Sequence, residues 1–289
     1  AINLSINDRG VTLSDGIFET ILIYQNTPQL LDAHLNRWTQ SAKSLTMALP
    51  PRKEFLLPLI KEAIQRISLP KGNGSLRLNW SRGHNTFRGI TLPTGSIHTF
   101  WLELNEYEPC FQTLTALISS HEKRNANSLV SQHKTFSYIQ AIQARHEAQT
   151  HGFDEALLLS TNNEISCGAT SNLLVKRKNI WLTPRLESGC LAGVMRQRGI
   201  DTGLFCEAEI RPEPRSDDNW LLINSLSCHS IAKINTHFLK TYKSIRDRLE
   251  KEKDNNKSEP LFVRVYVLKL IPDYTSLFYD FQIFLLPDH

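Results

Sequence analysis

Cysteine is scarce in this sequence, and its few copies are scattered. The 289 residues contain Cys110, Cys167, Cys190, Cys206 and Cys228, and no two of them form a Cys-x-x-Cys pair. Structural zinc sites usually draw on such closely spaced pairs, and disulfide-rich secreted domains need a denser set of cysteines. The pattern therefore argues against zinc and against a disulfide framework, and it is typical of a protein from a reducing compartment.

Long apolar runs and a large net charge are also missing. No run approaches the roughly 20 apolar residues of a transmembrane helix, and the N-terminus has no basic stretch followed by an apolar core. The net charge is only +4, and no basic stripe with interleaved aromatic residues occurs. We therefore expect a cytoplasmic protein that binds neither membranes nor nucleic acid, and we expect no metal site.

Strand-like and helical patterns alternate along the chain. Residues 17–24 and 75–81 are predicted as strands, whereas residues 31–47 and 52–67 repeat apolar side chains at the spacing of an amphipathic helix. Apolar residues make up 40% of the chain, which suits a globular protein, and the length allows two domains. The polar segment 105–109, which ends in proline, is typical of a linker. The sequence therefore predicts an α/β protein with a domain boundary there.

Lys134 stands just ahead of a predicted helix and a predicted hairpin. The helix repeats apolar residues at a roughly amphipathic spacing, namely Phe136, Ile139, Ile142, Ala144 and Ala148. Beyond it, the apolar runs 153–159 and 164–175, joined by Asn162-Asn163, indicate a hairpin. A lysine fixed between such elements can lose its water, and the neutral amine is the form that attacks a carbonyl group. Lys134 is therefore a candidate Schiff-base former, although most lysines near loops are solvated charges.

Several further motifs lie in a fixed order around this lysine. They are Asp8-Arg9-Gly10, Asp15-Gly16-Ile17-Phe18-Glu19-Thr20, the His34-x-x-Arg37 pair, Thr183-Pro184, Gly193-Val194-Met195-Arg196 and Asn224-Ser225-Leu226-Ser227. Together they resemble the class IV aminotransferase family, whose members use pyridoxal 5′-phosphate (PLP). The family includes branched-chain and D-amino-acid aminotransferases and the aminodeoxychorismate lyases. The resemblance extends from about residue 7 to about residue 235.

The resemblance implies the α/β fold and the assembly of fold-type-IV PLP-dependent enzymes. We expect a small α/β domain at residues 1–104, a linker at 105–112, and a larger, barrel-like α/β domain at 113–245 that binds PLP. The cofactor would lie in the crevice between the domains. A homodimer and a small-molecule substrate are also implied. Residues 246–289, rich in large apolar side chains, form an atypical C-terminal tail that the family does not explain.

The resemblance also implies which residues bind the cofactor. Lys134 is the catalytic lysine that holds PLP covalently, and Tyr138 is a partner for the phenolic oxygen of PLP. Arg37 is a phosphate contact, since a planar guanidinium can pair two phosphate oxygens. The other implied phosphate contacts are Val194 and Met195, at a helix start whose N–H groups suit anions, and Ser225.

The basic loop at residues 82–90 is the segment that best indicates which substrate binds. Arg82 and His84 imitate the Arg-x-His pair with which D-amino-acid aminotransferases hold a carboxylate. The Arg-Gly pairs that begin at Arg82 and Arg88 resemble the lyases more closely, although the insert between them is one residue longer here. Arg82, His84 and Arg88 are therefore the candidate substrate-binding residues, and the second Arg-Gly pair favours a lyase.

One position departs from the family pattern. Family members carry a glutamate five residues before the counterpart of Asn172, and its carboxylate keeps the pyridine nitrogen of PLP protonated. This sequence has Cys167 there, and a buried thiol stays neutral. We therefore expect Cys167 to be a cofactor contact that leaves PLP a weaker electron acceptor. An elimination that creates an aromatic ring tolerates a weak acceptor better than reversible transamination does.

The resulting hypothesis is a PLP-dependent lyase that converts 4-amino-4-deoxychorismate to 4-aminobenzoate and pyruvate on the folate route. A branched-chain or D-amino-acid aminotransferase is the alternative within the family. A non-catalytic relative, which keeps the scaffold as a binding module, is the alternative from another class, because a fold does not imply a function.

Overall fold

The computed structural model describes residues 3–84, 89–93, 95, 97–239 and 241. The described residues belong to one compact unit that ends at residue 241. Arg88 and the predicted tail at residues 246–289 lie outside the described residues. Within the described part of the chain, no helix is both long and apolar enough to cross a membrane.

The first part of the chain forms a four-stranded sheet with helices on one face. Its elements are α1 (Arg9–Leu13), β1 (Gly16–Tyr24), β2 (Thr27–Pro28), α2 (Leu31–Ser44), α3 (Lys53–Ile67), β3 (Gly74–Ser81) and β4 (Thr99–Glu106). The strand order is β2-β1-β3-β4, and every pair is antiparallel. The apolar face of the sheet packs against α2 and α3 through side chains such as Ile21, Trp38 and Leu56.

The register of β1 and β3 decides which side chains face away from these helices. Thr20 lies opposite Arg77, and Ile21 lies opposite Leu76. Because successive side chains of a strand point to opposite faces, Thr20 and Arg77 share one face of the sheet. Ile21 and Leu76 share the other, where they belong to the apolar core.

The second part of the chain forms a nine-stranded mixed sheet. Its elements are β5 (Thr113–Arg124), α4 (Ile139–Thr150), β6 (Glu155–Ser160), β7 (Ile165–Gly168), β8 (Asn172–Arg177), β9 (Ile180–Pro184), α5 (Val194–Asp201), β10 (Phe205–Ala208), β11 (Asn219–Ile223), β12 (Cys228–Ile234) and β13 (His237–Phe238). The strand order is β10-β9-β8-β11-β12-β5-β6-β7, with β13 paired to β12. Strands β5 and β6 are parallel and are joined by α4, whereas β6 and β7 are antiparallel neighbours. The predicted α/β class is confirmed, and the exact domain boundaries stay a prediction.

Two predicted elements differ in detail from the structure. The apolar run after Asn162-Asn163 is two strands, β7 and β8, rather than one. The N–H of Gly168 donates to the carbonyl of Ser171 at 2.8 Å, and this turn separates them. The second difference is the buried face of α4.

Helix α4 buries small residues and leaves large ones exposed. Ala144 and Ala148 are fully buried, whereas Ile139 and Ile142 are 63% and 57% exposed. The alanines allow the helix to pack closely on β5 and β6. The apolar spacing of the sequence therefore does not coincide with the buried face of the helix, and the two isoleucines form an exposed apolar patch.

Candidate active site

One cavity collects side chains from both sheets. Its volume is about 520 Å³, which lies in the range of small-molecule sites. Strands β1 and β3 contribute Phe18, Thr20 and Arg77, and β7 and β8 contribute Cys167 and Asn172. The cavity brings together seven predicted site residues: Arg37, Lys134, Tyr138, Cys167, Val194, Met195 and Ser225. The roles of these residues stay predictions.

Lys134 is placed in the cavity by backbone pairing to β1. The N–H of Phe18 donates to the carbonyl of Lys134, and the N–H of Phe136 donates to the carbonyl of Gly16, both at 2.9 Å. The lysine is half-buried, and its Nζ donates to Tyr138 Oη at 2.7 Å. Nζ also lies 4.3 Å from the centre of the Phe18 ring. An amine held between a phenol and an aromatic ring has a defined position from which to attack an aldehyde.

Helix α5 begins at the wall of the cavity. Gly193 precedes the helix, Val194 and Met195 open it, and all three line the cavity. The N–H groups of a first helical turn have no partner inside the helix, and so they attract anions. A Cβ atom at Gly193 would come within 1.9 Å of Asn172 Oδ1, so only glycine permits this close approach. Asn172 also donates from Nδ2 to the carbonyl of Leu191 at 2.8 Å, which fixes the loop before the helix.

Arg37 of α2 reaches the start of the same helix. Its Nε and Nη2 donate to the two carboxylate oxygens of Glu19 at 2.8 and 2.5 Å, and its Nη1 donates to the carbonyl of Ala192 at 3.1 Å. A guanidinium has five N–H donors, so two remain for a ligand. The ion pair with Glu19 therefore orients Arg37 without using all of its donors.

Glu19 anchors a polar network that extends to the turn after β11. Its Oε2 lies 2.7 Å from His34 Nδ1, and His34 Nε2 lies 3.3 Å from Ser225 Oγ. Burial lowers the pKa of His34, and this outweighs the opposite effect of the Glu19 carboxylate, while the charges of Arg37 and Lys134 lower it further. A neutral ring that donates from Nδ1 to Glu19 accepts at Nε2. The hydroxyl of Ser225 therefore donates to His34, and its oxygen keeps a fixed orientation.

The ionisation of Glu19 gives a test of this network. Burial alone would raise its pKa, but the charge of Arg37 and the hydrogen bonds from His34 and Arg37 hold the pKa at about 2, below the ordinary 4.5. A carboxyl whose folded-state pKa is depressed stabilises the fold above its unfolded pKa. That stability is lost as the pH falls through the folded pKa.

Glu19→Gln should therefore lower the free energy of unfolding by about 3 kcal/mol at neutral pH, because the amide leaves a buried guanidinium without its counter-charge. The difference from wild type should be complete above pH 4.5 and should shrink as the pH falls towards about 2. Denaturant unfolding over a pH series measures both features. Glu62→Gln, which removes an exposed ion pair with Arg66, is the matched control and should cost less than about 0.5 kcal/mol. A loss at Glu19 that does not depend on pH would contradict the network.

Cys167 lies on β7 with its side chain in the cavity wall. It is 7% exposed and packs in a small apolar cluster with Ala156 and Leu158. Burial raises the pKa of its thiol, and the charge of Arg124 and a hydrogen bond with Ser166 oppose that shift only in part. The thiol is therefore neutral at physiological pH.

Arg82 is engaged in structural contacts and is not among the residues that line the cavity. Its Nε donates to Asp15 Oδ2 at 2.8 Å, and its Nη1 and Nη2 donate to the carbonyls of Thr46 and Leu45 at 2.7 and 2.8 Å. The side chain is buried. These hydrogen bonds connect the end of β3 to the loop after α2 and so have a structural role.

His84, a second predicted carboxylate contact, does not line the cavity either. His84 is exposed, is not among the lining residues, and its Nδ1 lies 3.4 Å from Ser5 Oγ. Arg88 is outside the described residues. The substrate role of all three residues stays a prediction.

Arg77 lines the cavity although no motif in the sequence identifies it. Its guanidinium carbon lies 3.6 Å from the centre of the Phe18 ring, and its Nε donates to Asn79 Oδ1 at 2.7 Å. The terminal nitrogens Nη1 and Nη2 have no hydrogen-bond partner among the described residues. Burial lowers the pKa of Arg77, opposed by the negative charge of Glu103. Since the pKa of a guanidinium starts so high, Arg77 stays charged.

The cavity lining is strongly cationic. Four of its side chains carry positive charge, namely Arg37, Arg77, Arg124 and Lys134. No aspartate or glutamate occurs among the described residues of the lining. Charges of one sign in a partly enclosed site concentrate the field, so the cavity is suited to a ligand with several negative charges.

The family model and the relatives that match this chain point to the same family. The family model for amino-transferase class IV matches residues 16–234. Aminodeoxychorismate lyase of Bacillus subtilis (strain 168) is 25% identical over 241 residues, which cover 80% of this chain and 81% of that protein.

Solved structures share the fold. A Legionella pneumophila protein provisionally called 4-amino-4-deoxychorismate lyase superposes with a TM-score of 0.78 at 23% identity, over 89% of this chain and 96% of that one. The branched-chain amino acid aminotransferase of Escherichia coli gives a TM-score of 0.76 at 18% identity, over 87% and 88% of the two chains. The predicted fold class, that of fold-type-IV PLP-dependent enzymes, is confirmed. The chain belongs to the amino-transferase class IV family.

Proposed function

We propose that this chain is a PLP-dependent lyase that converts 4-amino-4-deoxychorismate to 4-aminobenzoate and pyruvate. The observation that carries the proposal is the placement of Lys134, whose Nζ lies 2.7 Å from Tyr138 Oη at the wall of a cationic cavity. A phosphorylated aldehyde requires such an amine beside an anion site. The similarity in sequence to the lyase of Bacillus subtilis supports the choice of reaction.

The residues around the cavity fit PLP. The phosphate would be held by the first N–H groups of α5, by the two remaining donors of Arg37 and by the backbone N–H of Ser225, whose hydroxyl donates to His34. Lys134 would hold the aldehyde carbon, and Tyr138 lies next to Nζ as a partner for the phenolic oxygen. When bound, PLP supplies a ring that withdraws electrons from the substrate carbon that carries the amine.

The incoming amine of the substrate would release Nζ of Lys134 from its covalent attachment, and the freed Nζ is then the base of the proposed reaction. This Nζ takes the proton from the amine-bearing carbon of the substrate, and the carbon–oxygen bond to the enolpyruvyl group breaks. The ring becomes aromatic, and the proton passes from Nζ to the methylene carbon of the departing enolpyruvate, which becomes pyruvate. Tyr138 accepts a hydrogen bond from Nζ and so positions the amine for both transfers.

Arg77 is the residue that we assign to a substrate carboxylate. Arg37 faces the phosphate end, whereas the terminal nitrogens of Arg77 are unpaired within the described chain. Phe18 supports the guanidinium from one side. A planar guanidinium with two adjacent free donors suits a carboxylate, and 4-amino-4-deoxychorismate carries two carboxylates.

An aminotransferase is the second candidate, because the same lysine and arginine would also bind an amino acid. Two assays separate the candidates. The PLP-loaded protein should release pyruvate and 4-aminobenzoate in equal amounts from 4-amino-4-deoxychorismate, and it should not convert amino acids with 2-oxoglutarate. Transamination without pyruvate release would replace the lyase proposal. Absence of both reactions in PLP-loaded protein would favour a non-catalytic relative.

A homodimer is part of the proposal. Leu129 and Val130 are 56% and 48% exposed, and Ile139 and Ile142 are exposed on the neighbouring helix α4. Val130 also lines the cavity, so part of this exposed apolar surface borders the site. Burying such a patch against a second copy would close the cavity from that side. Sedimentation at micromolar concentration should give the mass of two chains, and a monomer would contradict this part of the proposal.

A further inference from the structure

The cavity offers cations but no anionic partner to a cofactor. A pyridine nitrogen keeps a proton when a carboxylate stands against it, and it loses the proton when its neighbours are neutral or cationic. The described residues of the lining include four cations and neither aspartate nor glutamate. Wherever the ring lies in this cavity, its nitrogen therefore meets no carboxylate from the described lining.

Two buried glutamates that interact with cavity residues are already engaged by arginines outside this role. Glu19 is buried against Arg37 and His34. Glu155 is 5% exposed and is paired with Arg145, whose Nε donates to Oε1 at 3.1 Å. Glu19 cannot turn to the cavity without leaving Arg37, whose side chain is only 13% exposed, unpaired, which is costly. Glu155 would lose its ion pair with Arg145.

Two further glutamates, Glu103 and Glu164, also accept hydrogen bonds from side chains outside the lining. Glu103 accepts hydrogen bonds from Asn79 at 3.1 Å and from Trp101 at 3.0 Å. Glu164 lies three residues before Cys167, yet it accepts from Arg185 at 3.4 Å. Neither glutamate is among the residues that line the cavity.

The wall around Cys167 adds a positive charge. Arg124 lines the same cavity and acts on the Cys167 thiol as a nearby charge. Its guanidinium is fixed, because Nε donates to the carbonyl of Gly189 at 3.1 Å and Nη2 donates to the carbonyl of Ser131. A fixed cation beside a neutral thiol opposes a second positive charge on a bound ring.

We propose that this chain holds the pyridine nitrogen of its cofactor unprotonated, and that Cys167 occupies the place from which a carboxylate could keep it protonated. The inference rests on the proposed binding of PLP. An unprotonated ring is the weaker electron acceptor. The site therefore favours reactions whose product is stabilised by something other than the cofactor. The formation of an aromatic ring stabilises the product in this way, whereas transamination of an ordinary amino acid creates no aromatic ring.

The test is the ¹⁵N NMR signal of the ring nitrogen in protein loaded with ¹⁵N-labelled PLP. Wild type is compared with Cys167→Glu and with Cys167→Gln, which has the same size as glutamate but no charge. Wild type and Cys167→Gln should give the signal of an unprotonated pyridine. Cys167→Glu should shift the signal towards that of a pyridinium ion.

Each outcome bears on the inference separately from the proposed function. A pyridinium signal in wild type would overturn the inference, and this result needs no variant to fold. An unprotonated nitrogen in folded Cys167→Glu would overturn the placement of Cys167. Loading itself is checked by borohydride reduction and protein mass, so a failure to bind PLP at Lys134 counts against the proposed function and is not confused with a protonated nitrogen.

Discussion

Lys134→Ala should lower lyase turnover by a factor of about 10³ or more, because the proposed function assigns to this one amine both the covalent attachment and the proton transfer. The fold should be unaffected, since the lysine is half-buried and its hydrogen-bond partner, Tyr138, can hydrogen-bond to water instead. Pyruvate release under saturating substrate measures the effect. Thermal unfolding without PLP checks that the structure is retained.

The matched control for this variant is Lys61→Ala, at an exposed position of α3 that does not line the cavity. It should retain both turnover and the covalent attachment of PLP. Turnover near the wild-type value in Lys134→Ala would remove Lys134 from the mechanism.

Arg77→Gln should raise KM for 4-amino-4-deoxychorismate by about 10- to 100-fold, because a hydrogen bond to a charged group contributes about 1.5–3 kcal/mol. The affinity for PLP should change little, since Arg37 and the start of α5 lie at the phosphate end. Steady-state kinetics with PLP-saturated protein measures the change. An unaltered KM would show that Arg77 does not contact the substrate.

Arg82→Gln provides the comparison that separates two carboxylate-binding hypotheses. Its guanidinium is bonded to Asp15 and to the carbonyls of Thr46 and Leu45. The variant should therefore lose about 3 kcal/mol of stability, as expected when a buried ion pair is broken, without a specific rise in KM. A raised KM at unchanged stability would instead show that Arg82 is the residue that contacts the substrate carboxylate.

The contrast between these two arginines shows what the sequence could and could not predict. Lys134, Arg37 and the start of α5 sit in short motifs, and their neighbours in the chain are enough to place them. Arg82 has a decisive partner, Asp15, 67 residues earlier, and no local pattern reveals that ion pair. Alternation along β3 assigns Arg77 to the polar face of a strand, but not to a face that borders a cavity.

Helix α4 shows the same limit on a larger scale. Its apolar residues follow a roughly helical spacing, yet the buried ones are Ala144 and Ala148 rather than Ile139 and Ile142. Packing distance decides this, because small side chains permit closer approach to β5 and β6. The period of a pattern indicates that a helix forms, but the neighbouring elements decide which side is buried.

The position of Cys167 could be read from the sequence only through the family pattern, and its electrostatic setting only from the structure. The neutral thiol follows from burial, and the nearby charge of Arg124 comes from a strand more than forty residues earlier. The proposed lyase function draws on this combination, because we expect a cavity with four cations and no carboxylate in its described lining to favour elimination over transamination.

The most direct test of the central claim is to locate the covalent attachment. Protein incubated with PLP is reduced with borohydride, digested and analysed by mass spectrometry. The account predicts one modified peptide, with the pyridoxyl phosphate on Lys134, and none after the same treatment of Lys134→Ala. Attachment at another lysine, or no attachment at all, would contradict it.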